Sequence, residues 1–331
     1  MGAFQNITIL GAGSWGTALA VSTHRAGRDV AIWGRDMAIL ESLAAGQGNP
    51  AYLPDIQLPA ISTSSDFAIL KDADAILSAV PAQHTRLTLK ACAPFIKTGT
   101  PVVLCAKGIE RNTRKLMTDV LAETVPGAVA AVLSGPSFAS DVARDLPTAV
   151  TLACADENIG KALVSAIGRP AFRPYWTGDL IGAEVGGAIK NVLAIACGIT
   201  EGLKLGKSAH AALIGRGFAE MQRLAVALGA EEKTLSGLCG LGDLVLTCSS
   251  TQSRNMSFGK ALGEGGSVDE VLASRATVTE GVATAPALLE LANEHGVELP
   301  ICQAVGAILS GSHSVEEAIS SLLTRPFKEE G

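Results

Sequence analysis

Apolar residues in this chain follow two rhythms. In the first half they form short unbroken runs, many of them β-branched, at 7–10, 30–33, 75–80, 102–106, 129–133 and 149–153. Longer stretches with helical spacing separate these runs; the first covers 14–25 and stops near Gly27. Short continuous runs alternating with helices predict strands buried on both faces, in a mostly parallel, doubly wound sheet. Past about Trp176 strand-like runs nearly vanish. Helical windows replace them at about 181–203, 209–228, 255–263, 268–274, 283–295, 301–310 and 314–323, punctuated by Gly and Pro. The pattern predicts an α/β domain over residues 1–177 and an all-α domain over 178–331. No internal repeat or low-complexity tract interrupts it.

In a sheet of this kind ligands bind beyond the carboxyl ends of the strands. Gly11, Arg35, Pro81, Lys107 and Ser134 fall at those ends. The first end carries Gly11-Ala12-Gly13-Ser14-Trp15-Gly16, between a strand and an alanine-rich helix. Gly11 permits a tight turn, Gly13 lets backbone approach a pyrophosphate, and Gly16 lets helix and strand lie close. The helix N-terminus offers unpaired N–H groups to the phosphates. The first domain is therefore expected to be Rossmann-like and to bind a dinucleotide. NAD-binding folds usually place a carboxylate at the end of the second strand. Here that strand ends Trp33-Gly34-Arg35-Asp36, with glycine at the expected acidic position. Arg35 suits a 2′-phosphate, so NADP(H) is the preferred cofactor; Asp36, one residue on, keeps NAD(H) possible.

Composition narrows the partners. Charged residues are 18% against 48% hydrophobic, so a large core can be buried and disorder is not expected. Net charge is −6 with no basic block, which gives nucleic acid no electrostatic footprint. No uninterrupted apolar run is long enough for a bilayer, so no membrane partner is expected. The first strand starts so near Met1 that no signal peptide is expected. Cys92, Cys105, Cys154, Cys197, Cys239, Cys248 and Cys302 are scattered, lack metal-ligand spacing and have mostly apolar neighbours. They read as small core residues in a reducing cytoplasm, with neither disulfides nor a metal.

Three polar features stand out in the helical half. Lys190 shares a helical stripe with Ala183, Gly186, Gly187, Leu193, Ala194 and Cys197. A lysine amid small apolar residues either snorkels to solvent or faces a polar cleft. Asp243 sits between Gly240-Leu241-Gly242 and an apolar run. It is either a buried carboxylate in need of a cation or a helix N-cap, and the two roles can coexist. Ser253, Arg254 and Asn255 crowd a predicted helix start. They read as a phosphate grip, or as caps with Arg254 in solvent.

Taken together, these segments resemble the NAD(P)-dependent glycerol-3-phosphate dehydrogenases of bacterial type, over nearly the whole chain. The resemblance is carried by the glycine turn continued through Thr17-Ala18-Leu19-Ala20, Lys107-Gly108, Ser134-Gly135-Pro136-Ser137-Phe138-Ala139 and Gly187-Ala188-Ile189-Lys190-Asn191-Val192. Gly240-Leu241-Gly242-Asp243-Leu244, Gln252-Ser253-Arg254-Asn255 and Val278-Thr279-Glu280-Gly281-Val282 complete it. It implies reversible reduction of dihydroxyacetone phosphate to sn-glycerol 3-phosphate, for phospholipid synthesis, with Lys190 as general acid and base. Asn191, Asp243 and Thr247 would surround Lys190, and Lys107 would reach the same cleft. Gly135 and Ser137 would line the substrate pocket. Ser253, Arg254 and Asn255 would hold the substrate, with Arg254 on its phosphate and near the cofactor. Ser14, Trp15, Arg35, Lys107, Ala139, Val278 and Glu280 would join Gly11, Gly13 and Gly16 at the cofactor.

Two other readings compete. A β-hydroxyacid or ketopantoate reductase shares this domain plan but lacks a reason for the Ser253-Arg254-Asn255 cluster. A non-catalytic NADP(H)-binding sensor needs the glycine turn but not Lys190, Asp243 and Arg254 together. A homodimer is the default assembly.

Overall fold

The computed structural model describes residues 4–54, 56–275 and 279–326. Eight strands form one sheet: β1 (Asn6–Leu10), β2 (Asp29–Trp33), β3 (Ser62–Ser64), β4 (Ala75–Ser78), β5 (Pro101–Leu104), β6 (Val129–Ser134), β7 (Thr148–Cys154) and β8 (Phe172–Thr177). Their order is β3-β2-β1-β4-β5-β6-β7-β8, with every neighbouring pair parallel except β6 and β7. The sequence reversal between β1 and β4 marks the switch point where such sheets bind ligands. Leu10, the last residue of β1, pairs with Trp33 of β2 and Ser78 of β4, so the glycine turn emerges between two strand ends.

The six strands read from apolar runs are all present. The two that were missed are the sheet's edges. β3 is a polar triplet, Ser62-Thr63-Ser64. β8 contains Pro174, which argues against a strand by sequence but is tolerated at an edge, where one row of N–H groups needs no partner. Three apolar clusters hold the molecule: two flank the sheet, and the third lies among the helices of the second half.

The helix Leu180–Gly202 is the axis of that second half. Asp179 caps it, accepting from the Gly182 N–H at 2.8 Å. By length and composition the helix could span a membrane, but most of it is buried inside this protein. Its N-terminal half lies over the sheet: a Cβ on Gly187 would stand 3.0 Å from Ser134 Oγ and 3.2 Å from Lys107 Cγ. Its C-terminal half meets the helix Arg254–Gly263 backbone to backbone. A Cβ on Gly198 would come within 2.1 Å of the Met256 carbonyl oxygen, and one on Gly259 within 2.0 Å of the Ile195 oxygen. Only glycine permits that approach, which fixes Arg254 relative to Lys190.

Gly259→Ala should therefore destabilise the protein by about 1–3 kcal/mol, the usual cost of overpacking. Gly215, in the interior of the helix Lys207–Ala227, has open space where a Cβ would go. Gly215→Ala should be neutral or stabilising by up to about 1 kcal/mol through helix propensity. Urea unfolding of both variants checks the contrast; equal effects would contradict the packing argument.

Candidate active site

The glycine turn has the three properties its spacing calls for. Gly11 adopts a φ of 110° against the Ala79 carbonyl, and a Cβ on Gly16 would sit 1.8 Å from the Gly11 oxygen. Gly13 differs: nothing lies within 4 Å of where its Cβ would be. Gly13 also precedes the helix Ser14–Arg25 without a side-chain cap, so no local side chain takes up the first helical N–H groups. Free donors beside open space fit a dinucleotide's diphosphate. Ser14 and Trp15 form the first helical turn, and Trp15 and Ala139 pack on the same apolar cluster.

At the end of β2, Gly34 is buried and Arg35 exposed. A Cβ on Gly34 would meet Ala12 Cβ at 2.9 Å and Leu40 Cδ2 at 3.0 Å, so no carboxylate fits there without rearrangement. Asp36 is engaged in capping: its Oδ1 accepts from the N–H groups of Ala38 and Ile39 at 3.0 and 3.3 Å. Val278 lies outside the described residues.

The second cluster forms where β5, β6 and the helical half converge. Asp243 is 1% exposed, and both carboxylate oxygens are taken by ammonium groups. Lys190 Nζ donates to Oδ1 at 2.5 Å, and Lys107 Nζ to Oδ2 at 2.7 Å. Lys190 also donates to Thr247 Oγ1 at 2.9 Å, and Lys107 to the Gly135 carbonyl at 3.0 Å. Ser137 Oγ donates to that same carbonyl. Lys190 thus faces a polar cleft and does not snorkel. Asp243 is not a cap, contrary to one sequence reading. A wider helical turn, Leu238–Gly242, already precedes it, and the helix Asp243–Ser249 continues from that turn with its carboxylate spent on lysines.

Burial alone would push the Asp243 carboxyl up, but the two lysines hold it below the ordinary range. Burial pulls the Lys190 ammonium down to about 8, helped by Lys107 and opposed by Asp243. With Asp243 ionised and both lysines protonated, the trio carries one surplus positive charge. It can receive an oxyanion and give it a proton.

The predicted phosphate grip divides its work. Ser253 caps the helix Arg254–Gly263, its Oγ accepting from the Met256 N–H at 3.2 Å. Arg254 stands exposed on the first turn. Asn255 turns inward: Nδ2 donates to Asn191 Oδ1 at 2.9 Å, and Oδ1 accepts from the Gly281 N–H at 2.9 Å. Asn191 in turn donates to the Lys107 carbonyl at 2.9 Å. This amide chain joins the Lys107 segment, the axial helix, the Arg254 turn and the start of the helix Glu280–Glu294. Burial raises the Glu280 carboxyl, against the pull of Arg254, Lys107 and Lys190. The two ends of the amide chain are far apart in sequence, and no local pattern signals the pairing. Nor does sequence single out Asn49, whose buried amide reaches the glycine turn.

Comparison with known proteins agrees with this geometry. The model of the NAD-dependent glycerol-3-phosphate dehydrogenase N-terminus matches residues 6–160, and that of the C-terminus matches residues 179–320. The chain is 60% identical to a glycerol-3-phosphate dehydrogenase [NAD(P)+] of Maricaulis maris, covering 99% of this chain and 98% of that one. It is 58% identical to the protein of that name from Caulobacter vibrioides, covering 99% of each. The crystal structure of glycerol-3-phosphate dehydrogenase from Coxiella burnetii superposes with a TM-score of 0.92 at 40% identity, covering 97% of this chain and 99% of that one. A ketopantoate reductase from Ralstonia eutropha, at 16% identity and a TM-score of 0.59, shares the fold alone. Sequence signatures, site geometry and full-length similarity converge: the chain belongs to the NAD-dependent glycerol-3-phosphate dehydrogenase family.

Proposed function

We propose that this protein reduces dihydroxyacetone phosphate to sn-glycerol 3-phosphate, reversibly, with Lys190 as the proton donor and acceptor. The observation that carries the assignment of roles is the shared carboxylate of Asp243, which holds Lys190 and Lys107 in one buried cluster. The nicotinamide dinucleotide, held at the turn of Gly11, Gly13 and Gly16, would supply the hydride for the C2 carbonyl carbon. Lys190 donates its proton to the C2 oxygen, and Lys107 adds positive charge beside it. Thr247 and Asp243 fix the direction of the Lys190 ammonium. Arg254 binds the remote phosphate, with Ser253 and Asn255 holding its helical turn in place. Phosphate binding there orients C2. Gly135 and Ser137, gathered at the Lys107 ammonium, line the substrate pocket. This arrangement favours a phosphorylated substrate over the hydroxyacids and ketopantoate of related folds, and a catalyst over a sensor.

The cofactor preference follows from β2. The Gly34 site takes no carboxylate without displacing Ala12 or Leu40, Asp36 is committed to its helix, and Arg35 is exposed beside them. These support NADP(H) over NAD(H). Seven free, buried cysteines support a reducing cytoplasm. A symmetric homodimer is the assembly we infer, with Leu205, Val226, Leu241 and Val245 as exposed apolar residues of the helical half.

Initial rates with dihydroxyacetone phosphate should be higher with NADPH than with NADH. Lys190→Ala should lower turnover by roughly two to four orders of magnitude, with NADPH binding retained. Near-wild-type turnover in that variant would refute the role of Lys190. Arg254→Ala should weaken dihydroxyacetone phosphate about ten- to a hundredfold, the worth of a charged hydrogen bond, and leave unphosphorylated dihydroxyacetone nearly unchanged. Equal losses for both substrates would refute phosphate recognition at Arg254.

A further inference from the structure

The backbone of the glycine turn is held from outside itself. Asn49 lies 37 residues beyond Ala12, in a segment that makes no part of the sheet. Its backbone is fixed by a tight turn: the N–H groups of Tyr52 and Leu53 both donate to its carbonyl, at 3.2 and 2.8 Å. Leu53 anchors that turn in the apolar cluster against the sheet, and Ser42 Oγ ties the preceding Gly48 carbonyl at 3.0 Å. The Asn49 residue is 1% exposed. Its Nδ2 donates to the Ala12 carbonyl at 3.0 Å and to Thr17 Oγ1 at 2.8 Å. A side-chain amide nitrogen has two hydrogens, and both are spent on this contact.

Ala12 sits between Gly11 and Gly13. Its carbonyl belongs to the peptide that ends in the Gly13 N–H, so the direction of one sets the direction of the other. The helical ladder begins one residue later, with the Thr17 N–H donating to the Gly13 carbonyl. Ala12 is therefore outside the ladder. The remaining side-chain donor to it, Thr17 Oγ1, is 3.5 Å away. The nearer bond, from Asn49, orients the Gly13 peptide and pins it to the first helical turn.

We propose that Asn49 is the positioning residue of the cofactor turn: it preorganises the N–H groups that receive the dinucleotide diphosphate while touching no ligand itself. The inference rests on the reading of that turn as the cofactor site. Without Asn49 the Ala12 carbonyl loses its nearer donor and the Gly13 peptide can rotate. The turn must then be ordered at the expense of binding. Lys190, Asp243 and Arg254 lie elsewhere, so substrate handling persists once cofactor is bound.

Two substitutions of similar shape test this: Asn49→Leu, which removes both donors, and Thr17→Val, which removes one acceptor of Asn49 together with the longer donor to the Ala12 carbonyl. NADPH dissociation constants are read by fluorescence, alongside KM for each substrate, kcat and thermal midpoint. Asn49→Leu should weaken NADPH about ten- to a hundredfold, with KM for dihydroxyacetone phosphate unchanged within about twofold and kcat at saturating NADPH within about threefold. Thr17→Val should weaken NADPH by less and serves if Asn49→Leu does not fold. A folded Asn49→Leu, or failing that Thr17→Val, that binds NADPH like wild type overturns the positioning role. So does an equal rise in both KM values, which would mean general loosening. Failure of wild-type protein to bind NADPH would instead refute the cofactor assignment on which the inference rests.

Discussion

A carboxylate that has left water must be paired, and the pairing of Asp243 shapes the helical half of this protein. Removing one partner of a buried charged group typically costs about 3–5 kcal/mol. Asp243 has two such partners, drawn from different parts of the chain. Lys107 follows β5 of the sheet, Lys190 rides the axial helix, and Asp243 belongs to a third element. One fully buried side chain thus locks the sheet's carboxyl end to the helical half. Thr247, one helical turn beyond Asp243, completes the shell around the Lys190 ammonium.

That lock would be useless if the helices could not approach closely enough to carry it. Glycines on both sides let the axial helix and the Arg254 helix touch through their backbones. The distance between the Lys190 and Arg254 helices is thereby set by main-chain contact, which varies less than side-chain packing. The Asn191–Asn255 amide pair spans the same seam and extends it to Gly281. The Lys107 segment, the axial helix, the Arg254 turn and Gly281 are consequently parts of one hydrogen-bonded frame.

Residues that break a local pattern were legible in the sequence. Glycines at fixed spacing after an apolar run, a lysine in a stripe of small residues and an aspartate after a glycine turn each conflict with simple burial or simple exposure; the lysine and the aspartate meet in one buried pair, and the glycines form the turn between two strand ends. Elements whose signals are diluted by their position were not. Pro174 hid β8, because an edge strand tolerates what a central one does not. Three polar residues hid β3. Asp243 resembled a cap because the wider turn before it has no sequence signature. The partners of Asn49, Asn191 and Asn255 are set by tertiary approach across tens of residues, and an asparagine reads the same in a loop, a cap or a core.

The central claim is that Asp243 holds Lys190 as a charged acid in a site where burial would discharge it. The direct measurement is kcat/KM against pH for wild type and Asp243→Asn, in both reaction directions. Reduction needs the ammonium and oxidation the free amine, so with the Lys190 pKa drawn below its ordinary value to about 8, wild-type reduction should fall and oxidation rise through about pH 8. Loss of the Asp243 charge lowers that pKa further, so in Asp243→Asn the two limbs should move to lower pH, with reduction much diminished at neutrality. Limbs that stay where they were in wild type would contradict the account.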